Sequence, residues 1–200
     1  MSDKMKDNSG IAVQGHVKIF DPETGKVLVN KRNAIHYENI SIALAESLSN
    51  TGQGFIYEMS FGNGGTSIDP TGIITYLTPN STGINSSLYN QTYSKVVDSR
   101  SVNNVDSARN KTEIRHVSGT NYTDILVTCL LDYYEPEGQM AFDNTTTAND
   151  TFVFDELGLR SYSPTGQGRL ITHLIHHPVQ KSLNRLIQVD YTVRIQSLSS

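Results

Sequence analysis

Across residues 185–196 apolar and polar side chains alternate almost without a break. Ile187, Val189, Tyr191, Val193 and Ile195 fall on one face, and Leu186, Gln188, Asp190, Thr192, Arg194 and Gln196 on the other. A period of two over this length predicts a β-strand with one buried and one wet face, as in an antiparallel sandwich. At about 11 residues it is roughly twice as long as the usual strand. Two more strand-like runs, 152–159 and 169–177, precede it.

Other segments add to the β pattern. Residues 16–20 and 26–30 flank Asp21-Pro22-Glu23-Thr24-Gly25, where proline fixes φ and glycine accepts a positive φ, so a β-hairpin is expected. Phe55, Tyr57, Met59 and Phe61 share one face of a strand that runs into the tight turn Gly62-Asn63-Gly64-Gly65. Residues 71–77 read as a loop and then a short strand. Residues 112–117 and 124–134 read as two antiparallel strands around the turn 118–121. One helix is predicted, at about 39–50 and packed over one end of the sheet. Ile40, Ala43, Leu44 and Leu48 form its apolar stripe, Asn39 or Ser41 can cap it, and Thr51-Gly52 ends it.

Residues 78–112 are rich in Asn, Ser and Thr and read as a long excursion from the core; 135–149 read as a polar loop. Loops of such length are uncommon unless they serve a function. The expected fold is mainly β: an antiparallel β-sandwich with one short helix and long polar loops. Residues 1–14 are expected to form an N-terminal arm, and 15–200 a single sandwich domain without internal repeats.

Composition narrows the function. The chain of 200 residues is long enough for one sizeable core. Its hydrophobic fraction of 36% and charged fraction of 18% are low for a globular enzyme. Uncharged hydrogen-bonding residues fill the gap, with ten Tyr and no Trp, and these suit extensive wet contact surfaces. A net charge of -4 argues against nucleic-acid binding, which needs a basic footprint. Lys26, Lys31 and Arg32 read as a solvated hairpin edge. The N-terminal residues lack the apolar stretch of a signal peptide, and no apolar run has the length of a membrane span, so synthesis in a cytoplasm is expected. Cys129, the single cysteine, lies in an apolar run and is expected to be a small buried hydrophobe.

Candidate chemistry is sparse. His173 and His177 share a strand face and His176 points the other way, so the three do not converge as metal ligands would. Asp132, Glu135, Glu137, Asp143, Asp155 and Glu156 could include a paired-carboxylate site, but they read first as solvated loop and edge residues. Glu156 stands out: it precedes Leu157-Gly158-Leu159 in a strand and is expected to be half-buried and paired with Arg160, Arg169 or Arg185. The glycines at 62–65 suit a phosphate cradle only if a helix follows, and a loop and strand follow instead. No nucleophile elbow, dinucleotide fingerprint or Walker loop is found. No catalytic residue, cofactor or metal ligand is assigned.

Three segments carry a resemblance. Phe154-Asp155-Glu156-Leu157-Gly158-Leu159, then residues 168–178 ending in Pro178, then residues 184–195 resemble virion structural proteins of tailed bacteriophages. Such proteins often hold an F-x-E-hydrophobic-G-L strand, a strand ending near proline, and a long final strand. Phe61-Gly62-Asn63-Gly64 is similar to the F-G-x-G turn near their front. The resemblance implies a non-enzymatic part of a neck (collar), tail or baseplate, or of a fibre attachment point. It also implies a homo-oligomer, with other copies and other virion proteins as partners and the virion as location. Residues 1–15 and the 78–112 excursion would then pack on neighbours, and the polar face of Gln188, Asp190, Thr192, Arg194 and Gln196 becomes a candidate subunit contact. Two alternatives stand beside it: a receptor- or glycan-binding module, favoured if Tyr89, Tyr93, Tyr122, Tyr133 or Tyr134 cluster, and a hydrolase, favoured if Asp132, Glu135 or Glu156 converge.

Overall fold

The long alternating run forms β11 (Ile187–Leu198), flanked by β1 (Gly10–Phe20) and β8 (Tyr122–Leu131). The computed structural model describes residues 10–136 and 151–198. The other elements are β2 (Val27–Ile35), α1 (Tyr37–Leu48), β3 (Ile56–Gly62), β4 (Thr66–Ile68), β5 (Ile74–Tyr76), β6 (Gln91–Val96), β7 (Lys111–His116), β9 (Thr151–Ser161) and β10 (Thr172–Ser182). Nine strands make one antiparallel sheet in the order β6-β3-β9-β10-β2-β1-β11-β8-β7, and β4–β5 stand apart as a hairpin.

The sheet curls at a narrow seam. β1 pairs with β11 over its whole length, whereas β2 meets β10 through Thr172↔Ile35 and His173↔Ala34 alone. Beyond the seam the two halves share one core: Val17, Ile19, Val127, Cys129, Val189 and Tyr191 from one half meet Met59, Phe61, Phe154 and Leu157 from the other. The fold is thus the mainly β antiparallel sandwich that the alternation predicts, with one short helix among the described residues. At the far edges the halves are bridged again. Lys95 of β6 donates to the Leu130 carbonyl (2.7 Å) and to Glu135, and the Thr112 hydroxyl of β7 donates to the Val97 carbonyl (3.2 Å).

Three expectations need correction. Residues 10–14 are not arm but strand, since Gly10 to Gln14 pair with Leu198 to Arg194; residues 1–9 lie outside the described residues. The helix is capped by His36, whose Nδ1 accepts from the Asn39 N–H (3.2 Å). Asn39 is buried and donates its side-chain amide to the Leu170 carbonyl (2.9 Å). The 78–112 segment is only in part an excursion. It supplies edge strand β6 and buries Leu88, Val97 and Asn110, and Asn110 accepts from the Leu130 N–H (2.8 Å). Part of its polar composition serves backbone groups, as at Asn80, Asn104 and Asn110, while residues 82–85 and 99–109 are largely exposed. Most of the 135–149 loop lies outside the described residues.

Candidate functional site

The F-G-x-G turn and the F-x-E-hydrophobic-G-L strand, about ninety residues apart, fold into one clamp. Gly62 pairs with Glu156 across β3 and β9. A Cβ on Gly62 would come within 2.5 Å of the Glu156 carboxylate and 2.4 Å of the Asn90 carbonyl, so only glycine fits. Glu156, fully buried, accepts from the N–H groups of Gly64 (3.2 Å), Tyr89 (2.9 Å) and Asn90 (2.8 Å) and from His173 Nε2 (2.9 Å). His173 Nδ1 accepts from the Asn80 N–H (2.8 Å), so the ring proton sits on Nε2 and points at Glu156. Asp155 accepts from the N–H groups of Gly65 (2.9 Å) and Thr66 (2.9 Å) and from the Thr66 hydroxyl. The glycine turn does cradle anions, but they are the chain's own carboxylates.

Consecutive strand residues normally point to opposite faces, yet Asp155 and Glu156 both reach this turn. The register between β9 and β10 shifts there, so that His176, His177 and Pro178 oppose Asp155 alone. A bulge of this kind re-aims side chains and accommodates a proline that cannot donate to the ladder. Glu156 is therefore not half-buried beside an arginine. Arg160 instead donates to Ser60 (3.1 Å), Gln91 (3.2 Å) and the Gly168 carbonyl (2.9 Å); Arg169 pairs with Glu46 (2.7 Å) and Arg185 with Asp21 (3.1 Å).

The clamp holds up the β4–β5 hairpin. Its base is fixed by Asp155, by the Leu77 N–H donating to the Gly65 carbonyl (2.9 Å), and by Tyr76 and His177, whose hydroxyl and Nδ1 are 3.2 Å apart. Its tip is fixed by Asp69, which accepts from the N–H groups of Thr71 (2.8 Å) and Ile73 (2.9 Å) and from the Thr71 hydroxyl (2.6 Å). That hydrogen bond from Thr71 heads the causes that hold the Asp69 carboxyl below its usual value. Yet Ile68 and Ile73, at the tip, are each 63% exposed, with Tyr76 and Leu77 exposed on the shank.

A second apolar surface lies at the other end of the sandwich. α1 sits over the open end of the sheets and leaves a trough of about 520 Å³, lined by Ile40, Leu44, Phe55, Ile114, Ile125 and Ile195 among others. Ile114 is opposite Ile125 and on the inward face, yet it is 77% exposed because no strand covers it there. Asp98 and Arg100 stand on the rim as an ion pair (3.4 Å).

The remaining candidates are placed plainly. Gln188, Asp190, Thr192, Arg194 and Gln196 line the outer face of β11 and are half-buried. Gln188 donates to Asp190 (2.7 Å), and Arg194 forks onto Asp124 (2.7 and 2.9 Å) over the Tyr122 ring (3.8 Å). Tyr133 and Tyr134 follow β8 while Tyr122 opens it, so these tyrosines lie at opposite ends of one ten-residue strand. Tyr93 packs on Phe61 and Phe152. Asp132 and Glu135 share a loop held by Lys95 and Arg109, and Lys181 donates to the carbonyls of both acids (2.8 Å each). Glu156 lies elsewhere, further along β9. His173, His176 and His177 do not converge: His176 packs edge-on against Phe154 (5.4 Å), while the other two face the 63–90 segment. Among the described residues no cluster of three metal-ligating side chains is present. Cys129 is fully buried, and burial pushes its thiol up to about 12. Compared with known families, curated proteins and solved structures, the chain matches none.

Proposed function

We propose that this chain is a non-enzymatic structural subunit that assembles in repeated copies, of the kind found in the neck, tail or baseplate of a tailed bacteriophage. The observation that carries the proposal is the clamped hairpin. Two buried carboxylates, a histidine and a glycine turn hold rigid a loop whose apolar side chains are turned to solvent and contribute nothing to the core. Exposed apolar surface on a preorganised element marks a protein contact, because its ordering cost is already met before binding. The buried carboxylates bind the chain's own backbone, which gives them a structural role. The outer face of β11, with Gln188, Asp190, Thr192, Arg194 and Gln196, offers a second and polar contact. Contacts of modest strength repeated by symmetry yield avidity without a single strong site.

Native mass spectrometry of the purified chain tests this, with a glycan array run in parallel. Discrete multi-copy species, or a stable subcomplex with another virion protein, are expected. A lone monomer that binds glycans would contradict the proposal.

A further inference from the structure

The hairpin and the trough are two halves of one contact. We infer that the β4–β5 hairpin of one copy seats its tip in the trough between α1 and β7 of the next copy. The inference rests on the proposal of repeated copies and names the surfaces that join them.

Four observations support it. First, both surfaces are aliphatic: Ile68 and Ile73 on the hairpin, and Ile40, Leu44, Ile114, Ile125 and Ile195 in the trough. Second, they lie at opposite ends of the molecule. The hairpin follows the last residue of β3, Gly62, while Phe55 and Ile56 at its start line the trough. Six strand steps of about 3.3 Å separate the two ends by about 20 Å. The hairpin therefore cannot fill the trough of its own copy. Third, the hairpin tip is acidic and the trough rim offers an exposed cation. Asp69 holds a carboxylate at the hairpin tip. Arg100 on the trough rim, although paired with Asp98 through Nε (3.4 Å), keeps a side chain 80% exposed that can take a second carboxylate. Fourth, both surfaces are tied to the fold before they meet, one through the Asp155–Glu156 clamp and the other through the sheet and the buried Ala43 of α1.

A contact between two different surfaces of the same chain is head-to-tail. It closes into a ring if the rotation between copies allows, and otherwise runs on as a filament. The same geometry explains why the apolar stripe of α1 is left half open. Leu44 and Ile40 face a space that a neighbour's hairpin occupies.

Cysteine cross-linking of the full chain tests the contact. Ile73→Cys and Ile114→Cys alter exposed side chains that the core does not use, and buried Cys129 does not compete. Mixing the two single variants under mild oxidation should give a disulfide joining position 73 of one copy to position 114 of another, and the double variant should give a ladder of linked copies. Ile73→Asp and Ile114→Asp should each weaken self-association at least tenfold, with circular dichroism unchanged. If the unaltered chain assembles while both aspartate variants assemble equally well and no 73–114 link forms, the hairpin–trough contact is wrong and the assembly proposal survives. If the unaltered chain stays monomeric at its highest soluble concentration, the hairpin–trough contact is wrong, and if it also forms no subcomplex with another virion protein, both are wrong.

Discussion

Asp155 and Glu156 are neighbours whose carboxyl groups are driven in opposite directions. Burial raises Asp155 above its usual 3.8, and its bonds from Thr66 and Gly65 only partly offset this. Burial opposes ionisation of Glu156 too, but the hydrogen bonds from His173, Asn90 and Tyr89 outweigh it and hold the group below its usual 4.5. The unfolded chain therefore protonates at Glu156 first as the pH drops. The stability from Glu156 is complete above 4.5 and is lost as the pH falls toward the folded value; Asp155 has the opposite sign and costs stability as the pH rises through its own. Glu156→Gln places an amide against the Tyr89 and His173 donors and should cost roughly 2 kcal/mol in urea unfolding at neutral pH, as expected when hydrogen bonds to a buried charged acceptor are lost. It should also flatten the acid limb below pH 4.5. His176 is a second pH-sensitive residue. Burial pushes it down to about 4 from 6.5, so the unfolded chain protonates first and stability falls across that window. His176→Leu should remove roughly 2 kcal/mol of this dependence, read from melts at pH 7 and pH 4.5. A slope unchanged by His176→Leu would show that the ring is not buried as described.

At the scale of elements, the pairing along β1, β11 and β8 is continuous while the β2–β10 seam holds two residue pairs. Hydrogen exchange should be slowest in β1, β11 and β8 and faster at Ala34, Ile35, Thr172 and His173, since opening free energies follow local pairing and burial. The hairpin is expected to be dispensable for folding, because no residue of it belongs to the core. Replacing residues 67–75 with an Asn-Gly turn should change unfolding stability by about 1 kcal/mol or less. A collapse of the melting transition would make the hairpin structural. The strands were legible because each buries one face, and so were the β1–β2 turn and the place of the helix. The clamp was only half legible. Both motifs stood out, but their contact joins residues 64 and 156, and nothing local specifies a partner that far along the chain. The seam was not legible, because a corner in a sheet depends on which strands meet and not on any one strand's pattern.

On the scale of the whole molecule, part of the polar composition in 78–112 serves internal hydrogen bonds, while exposed aliphatic side chains gather at the hairpin tip and around the trough. The trough escaped notice in the sequence because Ile40, Ala43, Leu44 and Leu48 read as an ordinary core stripe. Only the packing shows Ala43 buried, Ile40 and Leu44 half covered and Leu48 at 87% exposure. A head-to-tail subunit of this design should gain mass with concentration, since binding draws on the folded state alone. The central claim concerns what sits in the trough, and an electron cryomicroscopy map of the assembled full chain addresses it most directly. The account predicts density for residues 66–76 of one copy lying between α1 and β7 of the next, with Ile73 against Ile114. A map in which the trough is empty and the hairpins are free, with copies joined elsewhere, would contradict it.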